Sequence, residues 1–274
     1  MVIMAVLGVS LVRIMISDSR VVSHQDAIMS ARQGARAAMN TMTAELRSIT
    51  DKGLIADSAK KIVANVPYAF GVLCSSSFVG ATAALLPTDS VSYNSAQPAG
   101  LAYLNYPPTG AYFYPSSWWF FVTSSTNTGA CISGNDTVKI LTGTPPGKLV
   151  DIWAPGLSPS PAAFPPGHLF FLYQKVTYYF GNSQDPTLAG RIALFRQVGT
   201  LPAEELIAPF DTSAGFRCLT GPYLSRTTCP QPVGNVRGLE LRLVGASVDP
   251  PQGMSAPSTF NLTTRIVFAN DTIH

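Results

Sequence analysis

The residues most able to support catalysis or metal binding are scattered along this chain. The three histidines, His24, His168 and His274, lie far apart and form neither an H-E-x-x-H nor an H-x3–5-H motif. Those spacings matter because a metal ion needs several ligands brought into one coordination sphere. No G-x-S-x-G elbow, phosphate-binding loop or G-x-G-x-x-G motif occurs in the sequence. The sequence therefore predicts a protein that is not an enzyme and that uses no metal or cofactor.

Acidic residues offer two weaker chemical interpretations. The neighbouring pair Glu204 and Glu205 could act as a general acid and base, but adjacent carboxylates in a polar segment are more typical of a solvated turn. Asp136, Asp211 and Asp271 could supply oxygen ligands to a calcium loop, but no D-x-D-x-D spacing brings them together. We therefore assign no catalytic and no metal-binding residue.

The four cysteines predict disulfides rather than a zinc or redox site. They show no C-x2-C spacing and stand at Cys74, Cys131, Cys218 and Cys229. Cys218 and Cys229 flank a turn-rich loop, which favours a disulfide between them. Cys74 and Cys131 each lie beside a predicted strand and are the second expected pair, with four reduced, buried thiols as the alternative. Disulfides would place the chain in an oxidising compartment.

Aromatic residues are concentrated in one run near the middle of the chain, over residues 112–121. Two interpretations stay open. The run is either a buried strand with neighbouring aromatic side chains or an exposed docking surface for a partner protein, a glycan or a lipid headgroup. Under the second interpretation, the docking side chains are Tyr112, Tyr114, Trp118 and Trp119.

The first element of the chain is the most informative about how these residues are positioned. Residues 1–16 contain one charge, Arg13, and continue without a break into a helix-forming stretch. We interpret residues 1–17 as a transmembrane anchor, although residues 1–16 cover only about 24 Å of a roughly 30 Å hydrocarbon core. A signal-peptide remnant and a buried core helix are the alternatives. Small residues let apolar helices approach closely in lipid. The expected helix contacts are Val2, Ala5, Leu7, Gly8, Leu11 and Ile14.

Residues 18–61 are predicted to form an amphipathic helix. Apolar residues recur every seven positions, at Val21, Ile28, Ala35, Met42 and Ile49. This period marks one helix face. Arg32 falls where the second seam position of a coiled coil would need an apolar residue, so a helix lying on the sheet of its own domain is favoured. We expect one continuous helix to about residue 50.

Residues 62–274 are predicted to form a β-rich head with a Pro- and aromatic-rich insertion at about 85–165. The run 239–243 alternates leucine with Glu240 and Arg242, which predicts a sheet with one buried face and these two residues on the other. The candidate strands are 118–123, 137–141, 169–180, 190–197, 238–244 and 259–268. The predicted fold is α+β. A long N-terminal helix, membrane-embedded in its first third and amphipathic beyond it, packs on a mainly antiparallel, exported head.

Several segments downstream resemble, in order, the PilW-type minor pilins and the J-type pseudopilins of type II secretion. An apolar helix that continues as an amphipathic helix into an exported β head is the layout of that family. The matching segments are RAAMNTMTAELR at 36–47, residues 131–141 with DTV at 136–138, YYF at 178–180, LFRQ at 194–197, LIAPF at 206–210, FR at 216–217, VRGLELRL at 236–243 and TRIVFAN at 264–270.

The resemblance implies a non-catalytic, membrane-anchored structural subunit that assembles with other membrane-helix subunits, as a minor pilin or pseudopilin of a fibre or secretion system. It implies a single pass through the bacterial inner membrane, contact with lipid, and a head in the periplasm or outside the cell. One alternative is a pilin-derived accessory subunit that stabilises a different multi-subunit membrane complex from the periplasmic side. Another is a membrane-tethered hydrolase or glycan-binding module.

The beginning of the sequence departs from that family. Prepilins carry a short basic leader, a glycine cleavage site, and then a phenylalanine and a glutamate early in the mature helix. None of these precedes the apolar run here. We expect either a natural start upstream of Met1 or a pilin-derived protein that has lost this apparatus.

The overall charge argues against nucleic acid as a partner. The formal net charge is only +3 over 274 residues, and no Lys/Arg cluster interleaves with aromatic residues.

Overall fold

One long helix and one large sheet form most of the part of the chain that the computed structural model describes. The described residues are 2–50, 52–77, 80–89, 93, 97–104, 112–113, 120–126, 131, 140–154 and 166–268, with backbone alone at 2–10, 12, 77, 104, 112 and 113. The helix, α1 (Val2–Leu46), is continuous over 45 residues, as the sequence predicts.

The strands follow the helix and belong to a single sheet. In chain order they are β1 (Leu54–Asp57), β2 (Lys61–Ser77), β3 (Gly80–Leu85), β4 (Gly100–Leu104), β5 (Tyr112–Phe113), β6 (Phe121–Ser124), β7 (Lys148–Trp153), β8 (Leu169–Asn182), β9 (Ile192–Val198), β10 (Glu204–Phe210), β11 (Gly215–Thr220), β12 (Ser225–Thr228), β13 (Val236–Ala246) and β14 (Thr259–Val267).

The sheet is antiparallel in every pairing of the described strands. Its main path runs β12-β11-β13-β10-β9-β8-β2-β3-β7-β6, with β14 on the other edge of β13 and β4 beside β8. The long strands β2 and β8 join the part of the sheet under the helix to the part beyond it. The predicted α+β class, a long helix on a mostly antiparallel sheet, is confirmed.

The second half of α1 packs on the sheet through small residues. Ala31, Ala35 and Ala38 are at most 1% exposed. They lie directly over β13, because a Cβ built on Gly245 would stand 2.1 Å from the Ala31 carbonyl oxygen. Met42 continues the same buried stripe toward the end of the helix. The amphipathic helix therefore lies on the sheet of its own domain, as the polar residue Arg32 in the second seam position predicts.

The helix ends at Leu46 rather than continuing to residue 61. Lys52 adopts a left-handed backbone with φ 61°, which an α-helix cannot contain. Gly53 follows and its N–H donates to the Thr50 carbonyl at 3.0 Å, closing a turn. The chain then enters β1 at Leu54, so the last residues of the predicted amphipathic segment form strands instead of helix.

The sequence predicts the long strands of the second half well and the middle of the chain poorly. β8, β9, β13 and β14 begin and end within two residues of the candidate strands. The described part of the candidate 118–123 overlaps β6. Residues 137–139 of the candidate strand 137–141 lie outside the described residues. Ile140 and Leu141 are helical, so the prediction of a strand is wrong for these two residues. Both are partly buried and pack against the small cluster that contains Cys74 and Cys131.

Candidate functional site: the free half of the helix

Apolar side chains of α1 between Leu11 and Val22 are largely exposed in the part of the protein that the structure describes. Leu11 and Ile14 are each 61% exposed and Met15 is 65% exposed. Val21 and Val22 remain more than half exposed one to two turns further on. Exposed apolar side chains in such a run are typical of a surface that binds a partner or a lipid phase. We call residues 2–18 of α1 the free half of the helix.

A loop of the head marks where this free half begins. The Ser19 hydroxyl donates to Gln252 Oε1 at 2.9 Å, and the Gln252 backbone N–H donates to Ser23 Oγ at 3.0 Å. One turn later, Ser258 Oγ and His24 Nδ1 lie 3.3 Å apart. We call residues 247–258 the collar loop. It fixes α1 at residues 19–24 and leaves residues 2–18, about 25 Å of helix, beyond this contact.

The predicted helix contacts fall within this free half. Leu11 and Ile14 are exposed, as a contact set would require. Val2, Ala5, Leu7 and Gly8 belong to α1, but their side chains lie outside the described part of the chain. No helix within the described residues is both long enough and apolar enough to cross a bilayer.

At its other end, α1 is held by a polar cluster of Glu45, Tyr178 and Arg196, which we call the helix clamp. Arg196 Nη2 lies 2.8 Å from Glu45 Oε1, and its Nε donates to Glu45 Oε2 at 3.2 Å. The Tyr178 hydroxyl donates to the same Oε2 at 2.7 Å. The carboxylate therefore accepts a bidentate guanidinium contact and a phenol hydrogen bond together.

The protonation states of the helix clamp suit these contacts. Burial, together with the neighbouring carboxylate, raises the pKa of Tyr178 far above its usual value, so the hydroxyl keeps the proton that it donates. Burial lowers the pKa of Arg196, but the hydrogen bond and charge of Glu45 outweigh it and raise the pKa overall. Sequence reasoning places all three residues in the segments that carry the family resemblance, yet it does not predict their contact.

Loss of the clamp carboxylate should destabilise the packed helix. We expect Glu45→Ala to lower the free energy of unfolding by about 2 kcal/mol, because Arg196 and Tyr178 would lose their shared acceptor in a largely buried position. Urea denaturation measures the change. Glu204→Ala, at an exposed position at the start of β10, is the control for loss of one glutamate. Equal stability of the two variants would contradict a role for the clamp.

Two disulfides join the cysteine pairs expected from the sequence, Cys74–Cys131 and Cys218–Cys229. Asp57 lies beside the second, with its Oδ2 atom 2.6 Å from Cys218 Sγ and 3.0 Å from the Gln231 backbone nitrogen that donates to it. Asp57, Cys218 and Cys229 are close enough together to resemble a metal site. Both sulfurs are consumed by the disulfide, however, and a metal needs thiolates. The disulfides indicate an extracytoplasmic domain.

The acidic residues considered for chemistry have local structural partners. Glu205 accepts hydrogen bonds from Ser183 Oγ at 2.7 Å and from the Gln184 N–H at 2.6 Å, so it orders a turn. Asp211 accepts from the Ser213 N–H at 2.8 Å, and hydrogen bonds from Ser213 lower its pKa. The other two candidates for a calcium loop, Asp136 and Asp271, lie outside the described residues.

The aromatic run is described only in part. Tyr112 belongs to β5, with its side chain outside the described part, and the positions of Tyr114, Trp118 and Trp119 are likewise outside it. Phe121, at the end of the run, is 41% exposed and stacks on Trp153 of β7 with the ring centroids 6.0 Å apart. This end of the run is therefore a half-exposed strand.

Comparison with known proteins identifies no relative, since no protein-family model, curated protein or solved structure matches this chain. The architecture of the fold, however, resembles a known arrangement. A long N-terminal helix packed on an antiparallel sheet, with two disulfides, is a pilin-like α+β arrangement.

Proposed function

We propose that this chain is a non-catalytic, pilin-like structural subunit that assembles with other membrane-helix subunits through the free half of α1. The observation that carries the proposal is the exposure of Leu11, Ile14 and Met15 on a helix whose second half packs one face against the sheet. In this view the chain is a minor pilin or pseudopilin of a fibre or secretion system. Its helix contacts lipid at the bacterial inner membrane, and its head lies in the periplasm or outside the cell.

Burial of the free half would supply the energy of assembly. Apolar surface removed from water contributes roughly 25 cal/mol per Å², so side chains as exposed as Leu11, Ile14 and Met15 gain from a neighbouring apolar helix. Within lipid, close van der Waals packing would take over this role. The collar loop and the helix clamp fix α1 on the head at two separate points. A helix fixed in this way presents its apolar surface at a defined angle, which lowers the entropy cost of association.

A second candidate is a pilin-derived accessory subunit that stabilises a different multi-subunit membrane complex from the periplasmic side. The enlarged head favours it. A second core, separate from the one under α1, lies among β2, β3, β4, β7 and β8 and contains Leu73, Leu85 and Phe170. This part of the head lies beyond α1 and offers a separate surface for a fixed partner.

The test is co-purification from the native membrane. We expect Leu11→Gln/Ile14→Gln to reduce the amount of co-purified membrane-helix subunits at least about tenfold after gentle solubilisation, since about 1.4 kcal/mol of lost binding energy suffices. Mass spectrometry counts the partners and identifies the N-terminus. Thermal unfolding of the head should be unchanged, because both side chains are exposed. Leu201→Gln, at a 44% exposed position in the β9–β10 turn, is the matched control.

The identity of the partners separates the two candidates. Pilin-like partners and a processed, methylated N-terminus support the fibre or secretion subunit. A fixed set of unrelated membrane proteins supports the accessory subunit. A chain that purifies alone, or a double variant that keeps its partners, would overturn assembly through the free half of the helix.

A further inference from the structure

The sheet face that points away from α1 carries arginines around one buried carboxylate. On β13, Leu239, Leu241 and Leu243 belong to the core under the helix, so the alternating residues Glu240 and Arg242 lie on the opposite face. The sequence predicts Glu240 on an exposed face, and this is wrong in one respect. Glu240 is only 2% exposed.

Arginines from the neighbouring strands cover this carboxylate. Arg226 of β12 and Arg265 of β14 place their Nε atoms 2.6 Å and 3.2 Å from Glu240 Oε2. Arg217 of β11 is in register with Glu240 on the same row of the sheet. Paired positions on adjacent strands share a face. Arg217 makes no ion pair with a residue that the structure describes. We call Arg217, Arg226, Arg242 and Arg265 the arginine face.

The arginine face holds a local excess of positive charge. Arg226 and Arg265 contact Glu240, and Arg217 and Arg242 lie on the same face of the sheet, so these five residues together carry a formal charge of 4 − 1 = +3. The side chains of Arg226 and Arg265 are 50% and 48% exposed. Both contact Glu240 through Nε, so Glu240 does not consume their Nη nitrogens. These groups can donate paired hydrogen bonds to a further carboxylate.

We propose that the arginine face docks an extended, acidic segment of a partner protein. Its four arginines stand on four consecutive strands in the order β12-β11-β13-β14. The Nε atoms of Arg226 and Arg265, on the two outer strands, converge on Glu240 Oε2 at 2.6 Å and 3.2 Å. Arg242 lies two residues from Glu240 along β13, a separation of about 6.8 Å in a strand. Alternate side chains of an extended acidic segment recur at the same spacing, so one carboxylate can pair with the converging arginines while the next pairs with Arg242.

The buried Glu240 prepares this surface for binding. It holds two of the guanidinium groups in place before a partner arrives, so less side-chain entropy is lost on association. It also reduces the repulsion among four neighbouring cations. The docked segment supplies the remaining negative charge, which is why an acidic partner complements this face.

The experiment measures binding of a fluorescent decaglutamate peptide to the full chain in mild detergent by fluorescence anisotropy. We expect binding at about 50 mM NaCl that weakens strongly at about 300 mM NaCl, because the contacts are exposed ion pairs. Arg217→Gln should raise the dissociation constant about fivefold, and Arg217→Gln/Arg265→Gln about twentyfold. Arg47→Gln is the matched control, because Arg47 is exposed just after α1, on the helix side of the sheet.

Each outcome decides for or against this surface. Tight, salt-sensitive binding that falls in the two arginine-face variants, and is kept in the Arg47 variant, supports the proposal. Equal losses in all variants show a non-specific effect of net charge and overturn it. Heparin or inorganic phosphate that binds more tightly than decaglutamate also overturns it, because the ligand is then not an acidic peptide. Circular dichroism melting curves establish that the variants are folded.

Discussion

Replacing Gly245 with valine is expected to lower the free energy of unfolding by about 3 kcal/mol and to displace α1 from the sheet. A Cβ at this position would stand 2.1 Å from the Ala31 carbonyl oxygen and 3.2 Å from the Ala35 Cβ. The nearest obstacle is helix backbone, which cannot rotate aside as a side chain can. Overpacking of a rigid contact commonly costs about 1–3 kcal/mol, and this site lies at the upper end.

Urea denaturation measures the loss, and hydrogen exchange over residues 31–46 reports the displacement of the helix. Gly234→Val is the matched control, because nothing lies within 4 Å of a Cβ built on Gly234 and its backbone is not left-handed. We expect the control to be close to the wild-type stability. Similar protection of the helix amides in both variants would show that α1 does not depend on close approach at Gly245.

The helix and the face of it that packs on the sheet could be predicted, because both depend on residues that lie close together in the sequence. A seven-residue apolar period can be recognised from the sequence alone. Three of its members, Ala35, Met42 and Ile49, are fully buried, whereas Val21 is 52% exposed. The long strands β8, β9, β13 and β14 were predictable for the same reason. β3 was missed because it is rich in alanine, and its neighbours on both edges hold it in the sheet. β2 was missed because Pro67 interrupts its apolar run.

The polar clusters could not be predicted, because they depend on register between distant segments. Glu45 and Arg196 are 151 positions apart and meet only once α1 packs on the sheet that contains β9. Glu240 follows an alternating pattern that correctly predicts its face. Its burial comes from Arg226 and Arg265, whose placement depends on the pairing of β11, β12 and β14 around β13. Periodicity predicts which face a residue takes, but not what covers it.

The two proposed surfaces lie on different parts of the molecule and can be tested separately. The free half of the helix extends beyond the collar loop, whereas the arginine face lies on the side of the sheet opposite α1. A partner helix could therefore bind the first while an acidic segment binds the second. Failure of decaglutamate binding would leave assembly through the helix untouched, and loss of membrane partners in Leu11→Gln/Ile14→Gln would leave the arginine face intact.

Removal of the Cys74–Cys131 disulfide is expected to be the most costly single covalent change. The bridge spans 57 residues of sequence. In the chain-entropy account, closing a loop of this length stabilises the folded state by about 4 kcal/mol at 25 °C. Both cysteines are also buried against Ala84 and Leu149, so part of the sheet beyond the helix loses its link to residue 131. We expect Cys74→Ala/Cys131→Ala to fold only at reduced temperature.

The second disulfide provides the comparison, because Cys218–Cys229 spans only 11 residues. The same entropy argument gives about 3 kcal/mol for Cys218→Ala/Cys229→Ala. Urea denaturation of both double variants therefore tests whether loop length ranks the two bridges. A larger loss at Cys218–Cys229 would reverse that ranking and show that native contacts dominate. The contacts involved are those with Asp57 and with the core under α1, where Cys218 is fully buried. Loop entropy acts on the unfolded chain, whereas those contacts act only in the folded protein.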